Sequence, residues 1–177
     1  MIFLGKEINC MSEKKVLGIG ALVTLFILVG GVLVLSTKSA GPEITTPIDA
    51  KVLEIDPENY DLGEVVMKDG LVNREYKVKN ATDKTIKLKK IVTSCMCTKA
   101  KVKVGEQETK LFGMEGHGDK NAPVNIEIGA GEEALVTAVF DPAAHGPTGV
   151  GPFDRVITLT FSDPVGIVEL KFSGKVV

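Results

Sequence analysis

The stretch "VNREYKVKN" (72–80) puts Val72, Tyr76 and Val78 on one side of an extended chain and Asn73, Glu75, Lys77 and Lys79 on the other. A repeat of two is the signature of a strand with one face in a core and one in water. The pattern recurs outward along the chain. In "TIKLKK" (85–90) Ile86 and Leu88 oppose Lys87 and Lys89, and in "RVITLTF" (155–161) Ile157, Leu159 and Phe161 oppose Val156, Thr158 and Thr160. In "IVELKFSGKVV" (167–177) Val168, Leu170 and Phe172 oppose Glu169, Lys171 and Ser173. "EALVTAVF" (133–140) is apolar nearly throughout, which suits a strand covered on both faces. Between these runs stand turn-forming stretches, "NATD", "GAGEE" and "SDPVG". No part of this region has a sustained helical period. The expectation is an all-β, immunoglobulin-like sandwich of about seven short antiparallel strands.

The 177 residues contain no Trp and only three cysteines, Cys10, Cys95 and Cys97, so the widely spaced pair of an antibody-type intersheet disulfide is missing. A formal net charge of −2, with 25% charged residues, leaves no basic excess for nucleic acid.

Upstream of the strands, "VLGIGALVTLFILVGGVLVLST" (16–37) carries no charge. It is long enough to cross a bilayer core, which takes about 20 apolar residues in a helix. It is too long and too poorly ended for a cleaved signal peptide. Lys14 and Lys15 before it favour an inside N-terminus. The expected organisation is a short cytoplasmic tail at 1–15, a transmembrane signal-anchor at 16–37, a tether at 38–50 and an outer domain at 51–177. That domain would face a periplasm or the cell exterior, with the membrane as its first partner. Cys10 falls on the inner side and is given no role. Met11 opens a shorter reading of the start that would omit it.

Taken in order, "YDLGEV" (60–65), the "VKN" end of the strand at 78–80, "SCMCTKA" (94–100), "GAGEEALVTAVFD" (129–141), "ITLTFSDP" (157–164) and the terminal "LKFSGKV" resemble the bacterial domain-of-unknown-function family 1573. This is an Ig-like group akin to Hydin-type domains, and the resemblance runs over about residues 58–177. Its most specific element is the family's Ser-Cys-Gly-Cys-Thr signature. Here Met96 stands in place of the central glycine, and residues 103–124 form a longer insertion. The resemblance implies a fold and a surface location and supplies no function.

Cys95 and Cys97 admit three readings. On an extended strand residues two apart project to the same side, so both thiols can bind one metal ion. A disulfide between them needs a local kink and is strained and reducible. As small buried hydrophobes they need no chemistry at all. The two histidines, His117 in "FGMEGHGDKNAP" and His145 in "FDPAAHGPTGVGP", bring the count to the four ligands of a zinc site. With Met114 the set becomes soft enough for copper, and Met114 is then expected beside the thiols for copper and elsewhere for zinc. The spacings match no known zinc finger, and the sequence alone leaves the three readings open.

Catalysis has thin support. Asp141 lies four residues before His145, and Ser94 precedes Cys95, but neither a nucleophile elbow nor a carboxylate pair surrounds them. "GPTGVG" lacks the Lys-Ser/Thr of a phosphate loop. The sequence therefore reads as a membrane-anchored extracytoplasmic binding or assembly module, not an enzyme, its partner another protein. The alternative is a tethered copper or zinc protein built on Cys95, Cys97, His117, His145 and Met114.

Overall fold

The computed structural model describes Leu22, Thr24 and residues 46–49, 51–116 and 121–177. Among the described residues no helix is long and apolar enough to cross a membrane. The expected span at 16–37 lies outside the described residues except for Leu22 and Thr24, as do the tail at 1–15 and most of the tether.

Ten strands are described, three more than the alternation suggests, because short pieces inside the connections also pair. They are β1 (Leu53–Asp56), β2 (Asn59–Val65), β3 (Val72–Asn80), β4 (Ile86–Thr93), β5 (Thr98–Val104), β6 (Gln107–Glu108), β7 (Ile126–Ile128), β8 (Glu133–Phe140), β9 (Gly151–Asp163) and β10 (Val165–Val176). One sheet has the order β1-β3-β8-β5-β6, the other β2-β10-β9-β4-β7. All pairings are antiparallel except β2 with β10, which run parallel. The result is an all-β sandwich with the layer architecture of immunoglobulin-like domains.

The faces follow the period-two reading. Tyr76 and Val78 of β3, Val136 of β8 and Val102 of β5 are buried from the first sheet. Ile86, Leu88 and Ile91 of β4, Ile157, Leu159 and Phe161 of β9, and Leu170 and Phe172 of β10 meet them from the second. Two tyrosines join the layers through their polar ends. Tyr76 donates from its hydroxyl to the Lys171 carbonyl at 2.8 Å, and Tyr60 to the Glu75 carbonyl at 2.7 Å. Their rings meet edge-on at 5.0 Å, a favoured aromatic geometry.

Strand β8 corrects one expectation. Ala134, Val136, Ala138 and Phe140 are buried, but Leu135, Thr137 and Val139 are only partly so. Its apolar composition reflects a central place in its sheet, shielded by neighbours on either side, and not a covering layer on both faces. Ile48 donates to the Ile167 carbonyl at 2.9 Å and Ile167 to that of Thr46 at 2.9 Å, which docks residues 46–48 on the start of β10.

The positions of the connections matter most for the site. The β4–β5 and β8–β9 connections both cross between the sheets, and the pairings Thr98↔Phe140 and Thr93↔Ile157 bring them to the same end of the sandwich. At the other end, the β3–β4 and β7–β8 connections are brought together by Lys79↔Glu133 and Ile86↔Ile128.

Candidate metal centre

Cys95 and Cys97 do not lie on a straight strand. β4 stops at Thr93, and the chain turns before β5 begins at Thr98. The turn closes with the Thr98 amide on the Cys95 carbonyl at 3.1 Å. The Thr93 hydroxyl reaches both the Thr98 carbonyl at 2.8 Å and the Cys95 carbonyl at 3.1 Å. Ser94 is used in structure: its Oγ accepts from the Val156 amide at 2.9 Å. The thiols converge because the chain curls. Cys97 points inward and is 3% exposed, Cys95 is half-buried, and Met96 between them is exposed.

The β8–β9 connection comes to this turn by backbone bonding. The Asp141 amide donates to the Cys97 carbonyl at 2.8 Å, carrying the β5–β8 pairing one step beyond its last side-chain pair. The Asp141 carboxylate then accepts from the Ala143 amide at 2.9 Å, and the Gly146 amide closes a turn on the Ala143 carbonyl at 2.8 Å. This curl aims His145 at the cysteines. A Cβ on Gly149 would stand 3.1 Å from that of His145, so the next turn can fold tightly against the histidine. Asp141, considered for catalysis because it precedes His145 by four residues, is spent on the loop.

The outcome is a three-membered cluster. The Cys95 Sγ lies 3.3 Å from the His145 Nε2, and the two sulfurs and an imidazole nitrogen all fall within 4.8 Å of one another. Donors bound to one ion at about 2.0–2.3 Å stand about 3.3–4 Å apart, so small side-chain rotations complete a coordination shell. The cysteines are unbridged. Of the other expected ligands, His117 lies outside the described residues. Met114 is half-buried, one residue beyond Gly113, whose carbonyl accepts from the Thr93 amide at 3.3 Å and from Asn121 Nδ2 at 2.7 Å.

Arg155 is the participant that sequence reading missed. Its Nε donates to the Cys97 sulfur at 3.1 Å, its Nη1 donates to the Asp154 carbonyl at 2.8 Å, and the guanidinium lies 5.6 Å over the Phe153 ring. In sequence it is only the cation that opens an alternating strand, and nothing local links it to a cysteine far up the chain.

The two thiols are driven apart electrostatically. Burial pushes the Cys95 thiol up, but hydrogen bonds from Cys97 and His145 and the charge of Arg155 outweigh it and leave the thiol below its ordinary range. Cys97 is pushed up, first by burial and then by the neighbouring Cys95 sulfur, against the pull of Arg155 and Thr98. The thiolate form is therefore reached more readily at the outer sulfur, beside the imidazole, than at the deeper one. Such an arrangement suits a metal ligand or a nucleophilic thiolate.

Residues 53–111 match the family described as "Protein of unknown function (DUF1573)". The match holds both cysteines and ends before His145 and Arg155, a shorter span than the resemblance over 58–177. Among solved structures, a protein of unknown function from Porphyromonas gingivalis W83 is similar at 15% identity with a TM-score of 0.48. The alignment covers 72% of this chain and 49% of that one, so the chain spans about half the length of that protein. The ASH/PapD-like domain 7 of human CEP192 is similar at 13% identity with a TM-score of 0.45, over 78% of this chain and 96% of that domain. Likeness at this level carries no functional argument. No curated protein matches the chain.

Proposed function

We propose that the protein is a membrane-anchored extracytoplasmic binding module whose working end is the Cys95–Cys97–His145 cluster, and that the cluster holds a thiophilic metal ion of the copper or zinc class. The observation that carries this reading is the approach of three metal-ligating groups to within 4.8 Å of one another from two separate connections. A pair of cysteines serving as core filler has no need of a histidine brought from 50 residues away to 3.3 Å. The anchor and the outer location are supported by the uncharged run at 16–37. Met114 and His117 remain candidates for further ligands.

Elemental analysis of protein purified without chelator tests the reading, with the Cys95→Ser/Cys97→Ser double variant as control. The expected result is stoichiometric metal in the parent chain and none in the variant. Metal-replete parent protein that carries no metal overturns it. A second reading, a dithiol that gives two electrons and two protons to an external disulfide or quinone-class oxidant and becomes a disulfide, draws on the depressed Cys95 thiol and the turn that brings the sulfurs within 4.8 Å. It predicts one thiol pair that oxidises reversibly without changing metal content.

A further inference from the structure

Metal sites are selected by coordination number and by charge as much as by ligand type. A zinc site is closed by four protein ligands or keeps a water in the fourth place, and Zn²⁺ with two thiolates and a neutral imidazole is already electrically neutral. A monovalent ion of the same softness accepts two or three ligands, but with two thiolates it leaves one uncompensated negative charge. In a partly desolvated site that charge is costly unless a cation stands beside it.

Arg155 is such a cation. Among the described residues its guanidinium has no carboxylate partner: Nε goes to the Cys97 sulfur and Nη1 to a backbone carbonyl. The ring of Phe153 beneath it, at 5.6 Å, holds its plane in place. The sulfur it touches is the deepest of the three donors, at 3% exposure, where an unbalanced charge is least tolerable. No other positive side chain is bonded to either sulfur among the described residues. Among the described residues three His, Cys or carboxylate donors converge, with the outermost, His145, exposed to solvent.

We infer that the cluster is built for a monovalent thiophilic ion, Cu(I) or its analogue Ag(I), with Arg155 supplying the positive charge that makes the bis-thiolate complex neutral. Two thiolates, one neutral imidazole, one monovalent ion and one guanidinium sum to zero, whereas Zn²⁺ in the same place leaves an excess of one positive charge. Arg155 is a charge-balancing residue that touches a ligand and not the ion. This inference rests on the metal-binding reading above and adds the identity of the ion.

The test is a set of competition titrations on the full chain. Cu(I) is read against a chromophoric Cu(I) chelator and Zn(II) against a zinc-responsive dye, for the parent, Arg155→Met and Arg155→Lys. Arg155→Met should weaken Cu(I) at least tenfold while leaving Zn(II) unchanged or tighter, and Arg155→Lys, which keeps the charge, should recover most of the loss. Circular dichroism on each variant identifies any that fails to fold, and Arg155→Lys keeps the test decisive if Arg155→Met does. Equal weakening of both ions means that Arg155 only shapes the turn, and unchanged Cu(I) binding in Arg155→Met means that its charge is not used. Either result overturns the inference and leaves metal binding standing. Parent protein that takes up neither ion overturns the metal reading itself, and this inference with it.

Discussion

The two ends of the sandwich solve the same structural problem with different chemistry. At each end two connections cross between the sheets and must be tied together. At one end the tie is Asn80, fully buried. Its Nδ2 donates to the carbonyls of Lys84 at 2.7 Å, Ile128 at 3.0 Å and Gly129 at 2.8 Å, and its Oδ1 accepts from the Thr82 amide at 3.0 Å and hydroxyl at 2.7 Å. The asparagine joins the β3–β4 connection to the β7–β8 connection and spends its bonding capacity on doing so. At the other end the tie is made by backbone and hydroxyl groups: Asp141 amide to Cys97 carbonyl, and Thr93 to both sides of its turn. The Cys97 thiol and the imidazole bond no backbone group among the described residues, and the Cys95 sulfur takes only the Cys97 amide, at a long 3.4 Å. Their mutual contacts are weak, polarisable and partly exposed, so they can be exchanged for a ligand without dismantling the fold. A polar group consumed by the backbone is structural, and one spared by it is available for function.

Five substitutions and one addition can break or sharpen this contrast. The largest effect should come from the interior that both ends enclose. Leu159→Ala or Leu170→Ala leaves a cavity between the sheets and should cost about 2–5 kcal/mol in denaturant unfolding, with metal content per folded molecule unchanged. Asn80→Ala should follow at about 3 kcal/mol, because three carbonyls lose a buried donor, again without touching metal binding. A matching loss of metal would mean that the ends are not independent.

Addition of Cu(I) at about 100 times its dissociation constant should raise the stability of the parent by about 2.7 kcal/mol and that of Cys95→Ser not at all, as read from thermal unfolding. In metal-free protein, Cys95→Ser should cost less than about 1 kcal/mol, since a serine hydroxyl can take over the Cys97 amide that the sulfur accepts at 3.4 Å. A cost as large as that of Asn80→Ala would make the cysteine end a structural lock and collapse the comparison. The smallest effect is expected at the solvated face of β4, where Lys87 meets Glu127 at 3.2 Å with both side chains exposed. Lys87→Ala should stay within about 0.5 kcal/mol.

Much of the sandwich was legible because strand faces are a local property. Tyr76 and Val78 alternate with Glu75, Lys77 and Lys79 whatever the rest of the chain does. The short β6 and β7 were not legible, since two or three residues carry no period and pair only because a longer neighbour offers an edge. The site was legible in its residue types and not in its geometry. Cys95 and Cys97 stood out by scarcity, and His145 by its place in a glycine-rich loop. The expectation that the cysteines share one face of an extended strand gave way to a turn, because Thr93 and Thr98 bond across it.

Taken by itself, the sequence determined the class of fold, the faces of the long strands, the uncharged run at 16–37 and the short inventory of metal-ligating side chains. These depend on neighbours one to four residues away, and periodicity records them directly. Only the tertiary structure decided that His145 meets Cys95, and that Arg155 meets Cys97 from 58 positions downstream. Both meetings follow from the registers Thr98↔Phe140 and Thr93↔Ile157. Registers between distant strands are chosen by the fit of the whole core, a sum over many side chains that no local pattern contains.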